Sequence, residues 1–252
     1  MNDKELFDLF VLEAEKPFSG WDFSYITDTG RMASEPMNWN YTSEILASIR
    51  KADSLLDMGT GGGEFLSKLQ PYPRNTFATE AYEPNVPIAR NRLEPLGIKV
   101  AEVKDDNQLP FDNEQFDLII NKHESYSVSE LYRILKPGSQ FITQQVGGQD
   151  HLDLNKALGA NEDNGYPHWN LNYAVQELES AGFKVIKNLE QFPYTRFYDV
   201  GALIYYLSAI PWQVPDFTVE KYFDKLLQIH YQIQEKGFIE FKEHRFFIKA
   251  VK

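Results

Sequence analysis

The chain has 252 residues, 42% hydrophobic and 14% aromatic, enough for one α/β domain with additions and a sizeable core. Its net charge of −12 argues against a nucleic-acid backbone as the main partner, because phosphate binding needs a basic surface. It contains no cysteine, which excludes disulfides, cysteine-ligated zinc, iron–sulfur clusters and thiol nucleophiles.

The opening residues Asn2-Asp3-Lys4-Glu5 lack the apolar core of a signal peptide. No run approaches the roughly 18 apolar residues of a membrane span. The expectation is a soluble cytoplasmic protein without a membrane partner. Leu6, Phe7, Leu9, Phe10 and Leu12 space as an amphipathic helix that stops near Pro17. The segment from Phe18 to Tyr25 is aromatic and broken by Gly20, a loop or short helix. A helical pattern resumes from Trp39 to Ile49.

From residue 52 the pattern alternates strand and helix, the signature of a parallel sheet with helices on both faces. Strands are expected at Ser54–Met58, Asn75–Ala81, Ile98–Val103, Gln115–Asn121, Ser139–Val146 and Lys184–Leu189, with a last one at His244–Val251. Helices are expected from Glu64, from Pro84 through Leu96, over Ser127–Leu135 and over Leu171–Ala181. Residues 147–168 form a long polar connection, and about fifty residues from Gln191 to Lys242 are too long for an ordinary loop. That insert ends in a long helical pattern, Val219 to Lys236, in which Tyr222, Leu226, Ile229 and Ile233 share one face. The reading is a mostly parallel, seven-stranded, doubly wound α/β sheet. The chain forms a single domain, 1–252, with helical cap elements at 1–50 and 191–242.

The first strand runs into Asp57-Met58-Gly59-Thr60-Gly61-Gly62-Gly63-Glu64. Glycines after a buried strand bring backbone close to a ligand, and ligands of open parallel sheets sit outside the carboxyl ends of the strands. Glu80 lies 21 positions after Gly59, the spacing at which an acid takes ribose hydroxyls. A dinucleotide site would have glycine where Glu64 stands and no need of Asp57. Both acids are easier to explain beside a cationic end, an ammonium or a sulfonium.

With these motifs the chain resembles the class I S-adenosylmethionine-dependent methyltransferases, over residues 40–190 and the last strand. The resemblance implies the Rossmann-like methyltransferase fold and S-adenosyl-L-methionine as cofactor. It implies that Asp57, Gly59, Thr60 and Gly61 contact the methionine part and that Glu80 binds ribose. Ala81 would lie against adenine, with Asp105 and Asp106 reading the adenine edge, and Asn121, at the end of Phe116-Asp117-Leu118-Ile119-Ile120-Asn121, which matches the family's fourth motif, beside the methyl donor. Asn121-Lys122-His123-Glu124 is not the Asn/Asp-Pro-Pro-aromatic motif of amino-methylating nucleic-acid enzymes. The absent thiol and the absent zinc cysteines disfavour two further nucleic-acid subclasses.

His123 and Glu124 follow the fourth strand directly and are the catalytic candidates. Histidine titrates near neutrality and could serve as a base, and Glu124 could orient it or bind a basic substrate. Gln144 and Gln145 end the fifth strand, one on each face. Trp21, Tyr25, Arg196, Tyr198 and Trp212 are the substrate candidates, with Asp199 beside them. His151-x-Asp153 is too little for a metal site, and no metal is expected. The expected partner is a small-molecule substrate rather than nucleic acid; the oligomeric state is not readable. An RNA or protein methyltransferase, a non-catalytic cofactor-binding protein and a dinucleotide oxidoreductase are the rival readings.

Overall fold

The computed structural model describes residues 2–19, 21–163 and 165–252. Gly20, the break in the aromatic segment, lies outside the described residues. In chain order the elements are α1 (Asp3–Ala14), α2 (Ser24–Thr27), β1 (Met32–Ser34), α3 (Tyr41–Ile49), β2 (Ser54–Met58) and β3 (Asn75–Glu80). Then come α4 (Val86–Leu93), β4 (Lys99–Glu102), β5 (Phe116–Lys122), α5 (Val128–Ile134), β6 (Leu135–Val146), α6 (Leu152–Leu158) and α7 (Leu171–Ser180). The chain closes with β7 (Lys184–Gln191), β8 (Tyr194–Phe197), α8 (Val200–Ala209), α9 (Val219–Lys236), β9 (Ile239–Lys242) and β10 (Arg245–Val251).

The chain divides into two compact units. One comprises Asn38–Gly147, His168–Gln191 and Arg245–Lys252. It carries the seven-stranded sheet in the order β4-β3-β2-β5-β6-β10-β7. Strands β4 to β6 pair in parallel, and β10 enters antiparallel between β6 and β7. The sequence order reverses beside β2 and β5, and the carboxyl ends of those two strands carry the glycine turn and His123. Every residue of β2 is buried, as a central parallel strand requires. Edge strand β7 alternates exposed and half-buried residues. Phe116, Phe141, Phe246, Leu131 and Leu178 form the core of this unit.

The helix expected from Glu64 is only a single 3-10 turn, Leu66–Lys68. Pro71 and Pro73 follow it and deny an α-helix the N–H donors it would need to continue. Pro95 likewise turns the end of the next helix into a 3-10 turn, Glu94–Leu96, closed by left-handed Gly97.

The other unit comprises the segment up to Met37, Gly148–Pro167 and Phe192–His244. Its helices α1, α8 and α9 bury Leu6, Phe10, Leu203, Leu226 and Ile229 in one cluster. The stripe of α9 is buried as its spacing requires, and the Thr218 side chain caps that helix at the Lys221 N–H. Three short strands join β1-β8-β9 in a sheet that helical spacing did not announce. Within the long connection, α6 packs Leu154 and Leu158 into the same cluster. No helix among the described residues is long and apolar enough to cross a membrane.

Candidate functional site

The site is built on the turn after β2. Gly59, Gly61 and Gly63 have φ of 65°, 62° and 79°, a region that side chains with a Cβ rarely adopt. A Cβ on Gly59 would collide with the Glu124 side chain, and one on Gly63 with Leu93 of α4. Two bonds to β3 tie the turn down: Thr60 N to Thr79 O at 2.8 Å and Gly59 N to Thr79 Oγ1 at 3.3 Å. Thr60 Oγ1 is buried and completes no hydrogen bond among the described residues, although it lies close enough to Asp57 to favour the ionised carboxylate.

Four carboxylates gather here. Burial pushes Asp57 up to about 7; the Thr60 hydroxyl and Lys122 pull the other way, and Glu80 adds to the rise. Glu80, at the end of β3, is buried and also raised by burial, while the backbone of Tyr82, Gly61 and Ala81 faces its oxygens. Its Oε1 accepts from Tyr82 N at 2.8 Å. Burial first, then Asp106 and Glu80, push Glu124 up to about 7. Asp106 accepts from the Ser125 hydroxyl, which also lies 3.4 Å from Glu124 Oε1. Asp105 accepts from Asn107 N and Nδ2, both at 2.9 Å.

Glu64 departs from its expectation of facing a cationic ligand. Arg92 of α4 donates to its carboxylate and to Gly62 O, so its charge is matched within the protein.

The end of β5 is held by side chains from β6 and from the start of α3 with the residues just before it. Asn121 is fully buried, and its Oδ1 accepts from Gln145 Nε2 at 2.7 Å and Thr143 Oγ1 at 3.1 Å. Gln145 Nε2 also donates to Glu124 O at 3.0 Å, which fixes the backbone of the turn that carries Glu124. Tyr41 donates to Asn121 O at 2.9 Å. His123 has φ of 63° and donates its N–H to Gln144 O at 2.8 Å. Its Nε2 lies 3.0 Å from Gln144 Nε2, while Gln144 Oε1 accepts from Trp39 Nε1 at 2.9 Å. Surrounding protein mass, then Arg245 and Lys122, hold His123 well below the usual imidazole range, even though the residue keeps solvent contact. Trp39 and Tyr41 were not legible in the sequence because a helix-leading aromatic is indistinguishable there from a packing residue.

The substrate candidates lie in the second unit. Trp21 and Trp212 meet edge to face at 5.5 Å, and both are about half exposed (50% and 59%). Tyr25 packs on Tyr205 at 4.9 Å and donates to Glu13. Arg196 is engaged by Glu240 at 2.8 Å and Glu35 at 3.5 Å. It and Tyr198 share Phe238 as a neighbour. Asp199 caps α8 at Ala202 N and grips Arg31 through both oxygens, at 2.6 and 2.8 Å. His151 and Asp153 face different groups, Tyr206 and the Lys242 N–H. No group of three histidine, aspartate or glutamate residues among the described residues could hold a metal.

A family model described as a methyltransferase domain matches residues 56–143, the stretch from β2 to β6. Residues 56–143 are a methyltransferase domain. The matched domain and the fold are those of class I S-adenosylmethionine-dependent methyltransferases. The residues present fit S-adenosylmethionine. Its sulfonium and ammonium are cations, the turn offers carboxylates beside left-handed glycine backbone, and the buried Thr60 hydroxyl there completes no hydrogen bond among the described residues.

Solved structures share the fold. A candidate methyltransferase of Bacillus halodurans C-125 superposes with a TM-score of 0.59 at 19% identity, over 83% of this chain and 99% of its own. The [4+2]-cyclase SpnF superposes at 0.53 and 17% identity, over 83% of this chain and 79% of its own. A curated relative, the biotin biosynthesis bifunctional protein BioHC of Teredinibacter turnerae, is 25% identical over 178 residues, 62% of this chain. This chain spans only 31% of that relative's length.

Proposed function

We propose that the chain moves a methyl group from S-adenosylmethionine to a small-molecule acceptor by in-line displacement, and that it works as one functional domain in the cytoplasm. The observation that carries the cofactor half is the group Asp57, Glu80, Asp106 and Glu124 about the glycine turn. The net charge of −12 and the biosynthesis of a small molecule, biotin, from which BioHC takes its name support the acceptor half.

The bound cofactor supplies a sulfonium-activated methyl group. Asp57 and the turn from Gly59 to Gly61 hold its methionine end, with Thr60 Oγ1 as a further donor. Glu80 takes the ribose hydroxyls, and Ala81, Asp105 and Asp106 flank the adenine. Asn121, engaged by Thr143 and Gln145, sets the position of the 121–124 backbone rather than reaching out itself. Glu124 is the carboxylate placed to take a proton from a protic acceptor, since a group with a midpoint of about 7 is matched to neutral operation. Alignment and exclusion of water do the rest. Trp21, Tyr25, Arg196, Tyr198 and Trp212 select the acceptor.

The test is calorimetry with S-adenosylmethionine, S-adenosylhomocysteine and NAD, followed by labelled methyl donor with metabolite extract, total RNA and total protein in parallel. Label in the metabolite fraction is expected. Label confined to RNA or protein would overturn the acceptor class. Binding without any transfer would leave a cofactor-binding protein, and binding of NAD alone would overturn the cofactor reading.

A further inference from the structure

We propose that His123 is a neutral hydrogen-bond donor, offering Nδ1–H to an anionic oxygen of the methyl acceptor, and that it is not the base. The inference refines the acceptor class of the function just proposed and rests on that reading. It stands on a three-residue relay. An indole N–H can only donate, so the Gln144 atom that faces Trp39 Nε1 at 2.9 Å is the carbonyl oxygen. That leaves the Gln144 amide nitrogen, which also only donates, against His123 Nε2 at 3.0 Å. His123 Nε2 must therefore accept, and the proton of the neutral ring sits on Nδ1.

Two consequences follow for chemistry. The one lone pair with which His123 could act as a base is already held by Gln144. Protonating that nitrogen would set N–H against N–H, and two cations, Lys122 and Arg245, oppose a third charge beside them. Nδ1–H, by contrast, has no acceptor among the described residues, and His123 keeps solvent contact at the strand end. Gln144 holds the residue at two points, because its carbonyl also accepts the His123 N–H at 2.8 Å. Register keeps the pair together: Gln144 stands opposite Lys122 in the β5–β6 ladder. A left-handed backbone at a non-glycine residue persists only where its surroundings over-determine it, and this double attachment does so. A fixed N–H donor with Lys122 and Arg245 nearby favours an oxyanion, a carboxylate or a phenolate, over a cationic amine. Glu124, the carboxylate next in sequence, lies instead over Gly59.

The experiment reads the ring directly, in the full chain with S-adenosylhomocysteine present. Long-range proton–nitrogen spectra of 15N-histidine protein are assigned by loss of one of the five histidine signals in His123→Gln. A protonated Nδ1 and a bare Nε2 through pH 6 to 8 are expected; a protonated Nε2, or an imidazolium at pH 6, overturns the proposal. In Gln144→Glu the new carboxylate accepts from both sides. The proton should then move to Nε2 and the midpoint should rise by about one pH unit or more. If that variant does not fold, Gln144→Met removes the relay and should release a mixture of tautomers; an unchanged Nδ1–H tautomer in a folded variant overturns the relay. Benzoate and phenol should shift the Nδ1–H signal saturably, and benzylamine should not; the reverse order overturns the acceptor class. The tautomer is read without turnover and without a known acceptor. A fixed Nδ1–H in a protein that transfers no methyl would count against the proposed function and not against the relay.

Discussion

The Glu124 side chain lies over the Cα of Gly59, so closely that a Cβ there would occupy the space of its Cβ, Cγ and Oε2. The two residues are joined by adjacent parallel strands: Met58, the last residue of β2, and Asn121, the last but one of β5, are register partners. The glycine turn and the Glu124 carboxylate are therefore one mechanical unit.

Gly59→Ala should accordingly disable binding out of proportion to its effect on stability. The left-handed backbone alone costs a side chain about 1–2 kcal/mol, and Glu124 must also be displaced. S-adenosylmethionine affinity is expected to fall more than about tenfold, a cost near 1.4 kcal/mol in binding. Gly97→Ala is the control. Gly97 has φ of 82° with nothing within 4 Å of an added Cβ, so it should lose about 1 kcal/mol of stability and leave affinity unchanged. Calorimetry and urea unfolding on both variants separate the two effects.

Binding should depend on pH through Asp57 and Glu124, both pushed up to about 7. Asp57 is faced by Thr60, Lys122 and Glu80, and Glu124 by Asp106, Glu80 and Ser125, so a cationic ligand adds to Lys122 and favours the ionised forms. Binding then releases protons and strengthens as pH rises from 6 to 8, by about tenfold per pH unit for each proton released below the midpoint. S-adenosylhomocysteine lacks the sulfonium charge and should show a shallower slope. The stability of the free protein has the opposite sign. Acids raised in the folded state bind protons on folding, so their contribution is present at low pH and declines as pH rises from the unfolded range near 4 through about 7. Asp57→Asn should flatten both curves.

The legible part of this chain was local. β2 runs from Ser54 to Met58 as read, because an apolar run bounded by a polar turn and four glycines leaves one choice. Asp57, Gly59, Glu80, Asp106 and Glu124 were named from spacing and motif, and the structure brings them to one edge of the sheet. What stayed hidden was long-range. β1 is three residues long and pairs with β8, matching Met32 to Phe197, a partner no local pattern can indicate. Glu64 looked like an acid for the ligand because Arg92 lies 28 residues further on. The Trp39–Gln144–His123 relay spans 105 residues, and it reverses the chemical meaning of a histidine that in isolation reads as a base.

In the second unit, Arg31 and Asp199 form a two-bond pair with Glu13 alongside. Asp199 also caps α8, so it serves the pair and the helix N-terminus together. The carboxylate is 39% exposed, so solvent screens the pair, and its removal should cost about 1–2 kcal/mol, with the lost cap included. Asp199→Asn keeps a capping oxygen at the same reach, so it should cost less than Asp199→Ala. Denaturant unfolding of both, with Arg31→Met as the third corner of a double-mutant cycle, measures the coupling.

Asp57 and Glu64 stand at the two ends of the same turn, and their charges have different destinations. Asp57 is buried, with no partner of opposite charge closer than the electrostatic reach of Lys122. Glu64 is paired with Arg92 of α4. Asp57→Asn should therefore weaken S-adenosylmethionine at least about tenfold, the scale of one charge-assisted hydrogen bond, while affecting S-adenosylhomocysteine less if the sulfonium is part of what it senses. Glu64→Gln should weaken it less than about threefold, because an exposed ion pair contributes at most about 1 kcal/mol and here contributes to the turn rather than to the ligand. Equal losses from the two variants would place Glu64 among the ligand-facing acids and reduce the Arg92 contact to an incidental one. Titration calorimetry at pH 8, above the Asp57 midpoint of about 7, makes the comparison.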